Sequence, residues 1–272
     1  MSGPATGGGP GALRRPLTAI VPTFNEEENL RACLDSVRFA DEVLVVDSFS
    51  GDATLPIARE FGARIVQREY GYSAQQKNWA IPQAAHEWVL LVDADERVTP
   101  GLREEIRALL AGEPRSDGYW IRRVNFFLDR PIRHGGWETD RVIRLFRRDA
   151  ARYQDRRVHA EIDLPGPLPE LTHPLEHRTF RSFSQYWRKL DLYSEWGAQQ
   201  MFLEGRRAGA AQILCRPVGR FLKMYVLRRG FLEGAHGLVL CMLAAVSVYL
   251  KYARLWEMGV RRDATHAPAP PR

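Results

Sequence analysis

Residues 88–95 have the sequence WVLLVDAD, an unbroken apolar run that ends at two aspartates, and this stretch decides the fold. An apolar run of strand length is typical of a strand that is buried on both faces. Similar runs precede it at residues 17–24 (LTAIVPTF), 42–48 (EVLVVDS) and 64–69, with helical patterns between them. Strands that alternate with helices in this way predict an α/β fold, a mostly parallel sheet with helices on both faces.

Two aspartates at the end of this run form the first candidate site, because ligands of parallel sheets bind at the carboxyl ends of the strands. Asp93 and Asp95 are two positions apart, so we expect both side chains to point to the same side. Two hard carboxylates suit a Mg²⁺ or Mn²⁺ ion that is shared with a diphosphate. A solvated turn is the alternative, and the position after four apolar residues favours the metal.

Asp47 and Lys77 are further candidates near the same edge of the predicted sheet. Asp47 ends the second run and is followed by small polar residues and a glycine, so its loop could hydrogen-bond a base or a ribose. The alternative is a helix cap, because Ser50 and Asp52 both precede a predicted helix. Lys77, within a predicted helix over residues 73–85, could neutralise a phosphate or lie on a solvated face.

The second half of the chain has a different pattern. Runs at residues 118–127, 142–148 and 157–164 look like strands without long helices between them, which predicts mixed pairing at one edge of the sheet. After Ser182 the chain becomes helical, and Ser182 with Gln185 has the spacing of a capping box. Asn25 and Glu28 have the same spacing at the start of the first predicted helix.

Composition excludes several classes of protein. The chain has 272 residues, of which 45% are hydrophobic and 26% are charged, which argues against a disordered chain or a polytopic membrane protein. Its three scattered cysteines exclude a disulfide framework and a four-cysteine zinc site, and they fit a reducing, cytoplasmic compartment. A dinucleotide oxidoreductase would carry G-x-G-x-x-G after the first strand, where this chain has PTFNEEEN.

Basic charge is concentrated near the C-terminus. Residues 206–262 contain eleven Lys or Arg and only two acidic residues, whereas the net charge of the whole chain is +6. Within that segment, residues 216–254 combine cations and aromatic residues with a long apolar stretch, a pattern typical of helices that lie on an anionic membrane surface. A buried helical hairpin or a dimer interface is the alternative. The apolar run argues against nucleic acid as the partner.

The motifs taken together resemble the family 2 inverting glycosyltransferases. The resemblance is carried by IVPTFNEEENL (20–30), VLVVDSFSGDAT (43–54), QQKNWA (75–80) and LLVDADERVTP (90–100). Within that family the chain looks most like the lipopolysaccharide core β-glycosyltransferases, on the strength of HGGWETDRVIRLFRR (134–148), RRVHAEI (156–162) and LRRGFLEGAHGL (227–238). The implied fold is the nucleotide-diphosphosugar transferase fold of GT-A type, with a C-terminal helical extension that associates with a membrane.

The resemblance also implies roles for individual residues. Asp95, together with Asp93, would hold the divalent cation, and Asp140 would be the catalytic base, with Glu138 and Glu161 as alternatives. Glu161 is displaced by one position from the Val-His-Glu of similar enzymes, which would put it on the other face of its strand. The nucleotide-sugar would contact Pro22, Thr23, Asn25, Glu26, Asp47, Ser48, Lys77, Asp93 and Arg144, and the acceptor would contact His134, Trp137 and His159.

The function implied is transfer of a hexose, glucose in the first instance, from a UDP-sugar to a lipid-anchored glycan such as the inner core of lipopolysaccharide. The enzyme would be peripheral on the cytoplasmic face of the inner membrane. The alternatives are a polyprenyl-phosphate glycosyltransferase and a catalytically inactive sugar-nucleotide-binding or scaffold protein. The expected division is a disordered leader, a catalytic domain, a helical basic and apolar region and a disordered tail, at residues 1–15, 16–180, 181–258 and 259–272.

Overall fold

The computed structural model describes residues 14–156 and 161–265. Most of the predicted leader and the end of the predicted tail therefore lie outside the described residues. The last two leader residues are described and contact the domain. The Arg14 guanidinium pairs with Asp41 at 2.9 Å, and the backbone N–H of Arg15 donates to the carbonyl of Leu110.

Four parallel strands form one half of the main sheet, in the order β3-β2-β1-β4. Apolar runs produce them because each strand is covered on both faces. The strands are β1 (Leu17–Thr23), β2 (Glu42–Asp47), β3 (Arg64–Gln67) and β4 (Trp88–Leu91), and the helices are α1 (Glu27–Val37), α2 (Thr54–Glu60), α3 (Ser73–Ala80) and α4 (Pro100–Ala111). A short 3₁₀ helix, Ile81–Gln83, follows α3.

The core has two layers, one on each face of this sheet. Alternate residues of β1 enter opposite layers, since Ala19 packs with Leu30 of α1 and Ile20 packs with Ala74 of α3. Leu102 of α4 joins the first layer. Helices on both faces leave only the strand ends open, so the loops at those ends are the part of the domain that is available for binding.

The other half of the sheet is mixed, as the sequence predicts, and continues β4-β8-β6-β11-β5. Only β11 and β6 are parallel among these described neighbours. β10 and β9 form a separate antiparallel pair, and residues 157–160 of the predicted strand over 157–164 lie outside the description. The strands are β5 (Glu96–Val98), β6 (Gly118–Phe127), β7 (Arg130–Pro131), β8 (Arg141–Arg147), β9 (Arg152–Tyr153), β10 (Ile162–Asp163) and β11 (Leu175–Phe180).

The C-terminal region is helical from Phe183 onward. It consists of α5 (Phe183–Leu203), α6 (Ala210–Leu222), a π-helical turn (Lys223–Leu227), a 3₁₀ turn (Gly230–Glu233) and α7 (Gly234–Thr265). α7 therefore continues past residue 258, where the sequence places the start of the tail. Gly230–Arg262 is long and apolar enough to cross a membrane by length and composition, and a third of its most apolar window is buried inside the protein.

The N-terminus of α5 is capped as predicted in one respect. The Ser182 hydroxyl accepts a hydrogen bond from the Gln185 N–H at 3.2 Å. The Gln185 side chain, however, accepts from the N–H of Arg181, so the box is not closed on Ser182. α5 then packs against α7, and Leu190, Leu240 and Leu243 bury a cluster beneath Phe127 at the end of β6.

Candidate active site

The turn between β4 and β5 carries both aspartates of the Asp-x-Asp motif. β4 ends at Leu91, so neither aspartate is part of the strand. The backbone N–H of Glu96 donates to the Asp93 carbonyl at 2.8 Å, and the Glu96 carboxylate accepts from the Asp93 N–H at 3.0 Å. The expectation that both side chains point to one side assumed strand alternation, which ends before this turn. Asp93 and Asp95 contact different partners.

Asp93 is held between two cations. Lys77 Nζ lies 2.8 Å from Asp93 Oδ1, and the Arg144 guanidinium pairs with Oδ2. Burial raises the pKa of the Asp93 carboxyl, but Arg144 and Lys77 outweigh burial and hold that pKa well below its usual range. Lys77 is only 7% exposed, so the solvated-face interpretation was wrong. Arg144 also donates to Glu96 Oε1 at 2.7 Å.

Asp95 faces a different pair of residues. His177 Nε2 of β11 lies 3.6 Å from Asp95 Oδ1, and Lys189 Nζ of α5 lies 3.5 Å from Oδ2. Burial raises the pKa of the Asp95 carboxyl, and His177 and Lys189 together hold it well below its usual range. Both distances exceed a normal hydrogen bond, so the carboxylate oxygens keep lone pairs for a further ligand.

Hydrogen bonds behind His177 orient its ring. Asp140 is an ionised acceptor, so Asn125 presents its Nδ2 donor to Asp140 Oδ2 at 2.7 Å. The Asn125 Oδ1 therefore accepts from His177 Nδ1 at 2.6 Å. The other ring nitrogen, Nε2, faces Asp95 and lies 2.7 Å from the Thr179 hydroxyl. A histidine oriented in this way through its other nitrogen is typical of a metal ligand.

These donors fit a divalent cation. Asp95 and His177 present one carboxylate and one imidazole nitrogen to the same space, and a catalytic Mg²⁺ commonly uses one or two carboxylates together with substrate phosphates. Within residues 14–156 and 161–262, no group of three His, Cys, Asp or Glu side chains converges on one point. The remaining ligands of a cation at this place would therefore come from the diphosphate and from water.

Asp140, the predicted base, belongs to the same charged network. Arg123 donates to both of its carboxylate oxygens at 3.0 Å, and Arg123 also reaches Glu96 Oε1 at 3.2 Å. Burial raises the pKa of Asp140, and the bonds from Arg123 and Asn125 lower it below its ordinary value. Asp140 is thus ionised at neutral pH and oriented by three hydrogen bonds.

The alternative bases are more exposed. Glu138 accepts from the N–H of Gly136 at 2.7 Å in the loop before β8, and Arg228 lies 3.8 Å from its other oxygen. Glu161 is exposed and lines the large cavity described below. His159 lies outside the described residues.

The loops after β1 and β2 are joined around Asp47. This carboxylate is fully buried and accepts from the Thr23 hydroxyl, from the N–H and hydroxyl of Ser50 and from the Gln67 amide. Direct contact with a nucleotide would require one of these donors to move. Ser48 is likewise buried and accepts from the Gln76 amide at 2.6 Å.

The capping box predicted at Asn25 does not form. Asn25 has a positive φ of 53°, α1 begins at Glu27, and the Asn25 Oδ1 instead accepts from the N–H of Gly51 at 2.9 Å. Glu26 is half-buried and bonds Asn29, and burial with the nearby Asp95 raises its pKa. Pro22 is half-buried near the end of β1.

The predicted acceptor residues lie in the loop between β7 and β8. His134 Nδ1 bonds the buried carboxylate of Glu233 at 2.7 Å, which joins this loop to the C-terminal helices. Trp137 is half-buried against the cluster that contains Phe127 and Leu190, which favours packing over stacking on a sugar. Neither residue lines the large cavity.

A cavity of about 1320 Å³ opens between the sheet and the C-terminal helices. Lys77, Asp93 and Arg144 line it at the sheet end, where Tyr153 and Glu161 also reach it. Tyr186, Tyr193 and Trp196 of α5 line its middle. Ligand pockets usually measure about 300–1,000 Å³, so this space is large enough for a donor and part of an acceptor together.

Several residues of this network were not singled out by the sequence. They are Glu96, Arg123, Asn125, His177 and Lys189. His177 comes from β11, whose pairing with β6 sets it opposite Asn125 and whose pairing with β5 sets it opposite Glu96. The polar strand LEHRTF at residues 175–180 was the only local signal for it.

Comparisons with known proteins agree with this architecture. The Glycosyl transferase family 2 pattern matches residues 18–163. An uncharacterized glycosyltransferase of Rickettsia bellii (strain RML369-C) is 27% identical, over 92% of this chain and 89% of its own length. The lipopolysaccharide core biosynthesis glycosyltransferase LpsC of Rhizobium meliloti (strain 1021) is 28% identical, over 88% of this chain and 93% of its own length.

Among solved structures, a glucosyl-3-phosphoglycerate synthase from Mycobacterium tuberculosis overlaps 41% of this chain and 44% of its own, at 23% identity and a TM-score of 0.34. With so low a TM-score, this likeness supports no conclusion about the site or the substrates of the chain. The family pattern covers more than half of the 272 residues, and the described sheet has the predicted GT-A architecture with its Asp-x-Asp turn at the strand ends. The chain belongs to glycosyl transferase family 2 and is a glycosyltransferase.

Proposed function

We propose that the protein is an inverting glycosyltransferase that moves a hexose, glucose in the first instance, from a UDP-sugar to a lipid-anchored glycan. The observation that carries this proposal is the charged turn of Asp93 and Asp95 at the strand ends, beside a cavity large enough for two substrates. The inner core of lipopolysaccharide is the acceptor we favour, because a relative named for lipopolysaccharide core biosynthesis aligns over 88% of the chain.

The donor diphosphate would lie where Lys77, Arg144 and Lys189 surround the two aspartates. A Mg²⁺ or Mn²⁺ ion held by Asp95 and His177 would neutralise the charge that develops on the leaving UDP. Lys77 and Lys189 would add positive charge on either side of it. Thr23, Asn25 and Asp47 would define the nucleoside end through the loops that they hold together.

Inversion requires attack from the side opposite the diphosphate. The acceptor hydroxyl oxygen forms a bond to the anomeric carbon while the bond from that carbon to the diphosphate oxygen breaks, and the hydroxyl proton passes to a carboxylate. We assign that carboxylate to Asp140. Arg123 and Asn125 orient Asp140 and keep it ionised, so the carboxylate carries no proton of its own at neutral pH.

The C-terminal helices would hold the enzyme at the cytoplasmic face of the inner membrane. α6 leaves Leu214, Val218 and Leu222 exposed at helical spacing, so they share one face. Cations accompany this face, and acidic residues are almost absent from the segment. α7 packs on α5 through Leu240 and Leu243, so we place this region on the membrane surface rather than across it.

Transfer can be tested with radiolabelled UDP-glucose and lipopolysaccharide from a deletion strain of the source organism. The proposal predicts label in the lipopolysaccharide fraction, dependent on a divalent cation and with inversion at the labelled sugar. Label that appears instead in a chloroform-soluble lipid monophosphate would show a polyprenyl-phosphate transferase. Absence of transfer from each of UDP-glucose, UDP-galactose and GDP-mannose would contradict the proposal.

A further inference from the structure

The helical end of the cavity contains three cations that no carboxylate neutralises. Arg206 follows α5, Arg220 lies on α6 and Lys251 lies on α7, and all three line the cavity. In the described part of the chain, no carboxylate oxygen lies within 4 Å of their charged nitrogens. Glu204 also lines this end and accepts a hydrogen bond from the Gln200 amide at 3.0 Å, but in the described part of the chain no charged nitrogen lies within 4 Å of its carboxylate.

The three cations are close enough to repel one another. Burial lowers the pKa of the Lys251 ammonium, and the nearby Arg206 and Arg220 lower it further. The aliphatic part of Lys251 lies against Gly197 of α5. Arg206 and Arg220 are exposed and Lys251 is half-buried, so the three charges face solvent in the free protein and become paired when an anion enters.

The cavity connects this cationic end with the reactive end. Lys77 and Asp93 line one end, and Arg206, Arg220 and Lys251 line the other. Between them, α5 contributes Tyr193 and Trp196, whose rings pack edge to face at 5.7 Å. Aromatic surfaces of this kind suit the apolar face of a sugar ring, so the cavity has the lining expected for a glycan with an anionic group at its far end.

We propose that Arg206, Arg220 and Lys251 form a subsite for an anionic group, a phosphate or a carboxylate, that the acceptor carries at a distance from its reacting hydroxyl. The inference rests on the proposed transfer to a glycan and narrows its substrate class to acidic glycans. The subsite fixes the position of the acceptor along the cavity, with the hydroxyl directed toward the sheet end and the proposed base Asp140. It is separate from the donor site, whose cations are already paired with Asp93 and Asp95.

The test compares R206Q/K251Q with R59Q/R115Q in the full-length chain. Arg59 and Arg115 are exposed and lie outside the cavity, so the control removes the same charge elsewhere. Transfer is measured on deacylated, water-soluble lipopolysaccharide core, which removes any contribution of membrane binding. We expect R206Q/K251Q to raise the acceptor KM by at least about 10-fold with the KM for the UDP-sugar unchanged, and the control to stay within about two-fold.

Phosphatase treatment of the same acceptor identifies the anion. If the group is a phosphate, treatment raises the wild-type KM and has no further effect on R206Q/K251Q. If it is a carboxylate, the variant still differs from wild type on the treated acceptor. Equal acceptor KM values for wild type and R206Q/K251Q would overturn the inference. In that case the proposed function would still stand, because the wild type transfers the sugar.

A second measurement does not depend on transfer. Calorimetric titration with inorganic pyrophosphate, in the presence of saturating UDP, probes the cationic end alone. We expect wild type and R59Q/R115Q to bind pyrophosphate and R206Q/K251Q to bind it at least about 10-fold more weakly. If R206Q/K251Q binds pyrophosphate more weakly than wild type but the wild type shows no transfer, the proposed function is refuted and the anion subsite is not. Equal binding by all three proteins would refute the subsite.

Discussion

The two ends of the cavity differ in whether their cations are paired with carboxylates. At the sheet end, Lys77 and Arg144 are paired with Asp93, and Lys189 faces Asp95. At the helical end, no carboxylate oxygen of the described chain lies within 4 Å of the charged nitrogens of Arg206, Arg220 and Lys251. Paired charges hold side chains in fixed positions before any ligand binds, whereas unpaired charges attract an anion.

This difference assigns the two ends to different tasks. Chemistry requires groups that are already oriented when the transition state forms, and the network around Asp93 and Asp95 provides that orientation. Recognition of an acidic acceptor requires charge that the ligand itself neutralises. One cavity thus combines a preorganised reaction centre with a binding end that is completed by substrate.

At the sheet end of the cavity, we expect the largest loss of activity from a substitution of Asp95. Asp95→Asn keeps the shape of the side chain but removes the carboxylate that would bind the cation beside His177. We expect kcat for transfer to fall by about 1000-fold. Initial rates with UDP-glucose measure this, and Asp163→Asn, an exposed position on β10, is the control. Retention of more than a tenth of the wild-type kcat would remove Asp95 from the reaction.

Asp140→Asn tests the proton acceptor within the same network. Asn125 and Arg123 would still contact the amide oxygen, so the loop should stay in place while the base is lost. We expect kcat to fall by about 100-fold or more with the donor KM unchanged. Glu138→Gln and Glu161→Gln should change kcat by less than about 3-fold. A larger loss in either variant would transfer the role of base to that residue.

The strands around these residues were predictable because both faces of each are buried. The apolar runs of β1 and β4 are visible in the sequence and predict both strands. The end of the second run also predicts the position of the turn that carries Asp93. Lys77 was also found, although its burial was not, since helix α3 alone does not reveal that its side chain turns toward Asp93.

The rest of the site depends on pairings between distant segments. His177 meets Asn125 only because β11 pairs in parallel with β6, and no local pattern specifies that register. Lys189 reaches Asp95 only because α5 returns over the sheet edge. At Asn25 a local rule failed because the side chain bonds Gly51 across the two loops in preference to capping α1.

Substitutions on the outer surface of the helical region should have a smaller effect, on membrane binding alone, because they leave the cavity unchanged. R216Q/K223Q removes two cations from the exposed side of α6 and its extension without altering residues that line the cavity. Each cation near an anionic surface contributes about 1 kcal/mol, so vesicle affinity should fall by about 30-fold. Flotation with phosphatidylglycerol vesicles measures this against R59Q/R115Q. Equal flotation of both variants would argue against the membrane surface.

The smallest expected effect is on the pH dependence of the free energy of unfolding, which tests the charge pairing at the sheet end. The folded-state pKa values of Asp93, Asp95 and Asp140 are lowered, so these groups stabilise the fold above the unfolded pKa of about 3.9 and lose that contribution as pH falls below it. Each proton taken up on unfolding adds a slope of about 1.4 kcal/mol per pH unit. Urea unfolding between pH 5 and 3, as rough limits around that pKa, should show a shallower slope for Asp93→Asn than for Asp163→Asn. Identical slopes would contradict the pairing.

Donor binding tests the central claim most directly. Calorimetric titrations of wild type and Asp95→Asn with UDP-glucose, UDP-galactose and GDP-mannose, in Mn²⁺ and then in EDTA, follow the sheet end alone. The account predicts that wild type binds a UDP-sugar in Mn²⁺, that EDTA weakens this binding strongly, and that Asp95→Asn behaves in Mn²⁺ as wild type does in EDTA. Binding that is equal in Mn²⁺ and EDTA, or absent for every UDP-sugar, would contradict it.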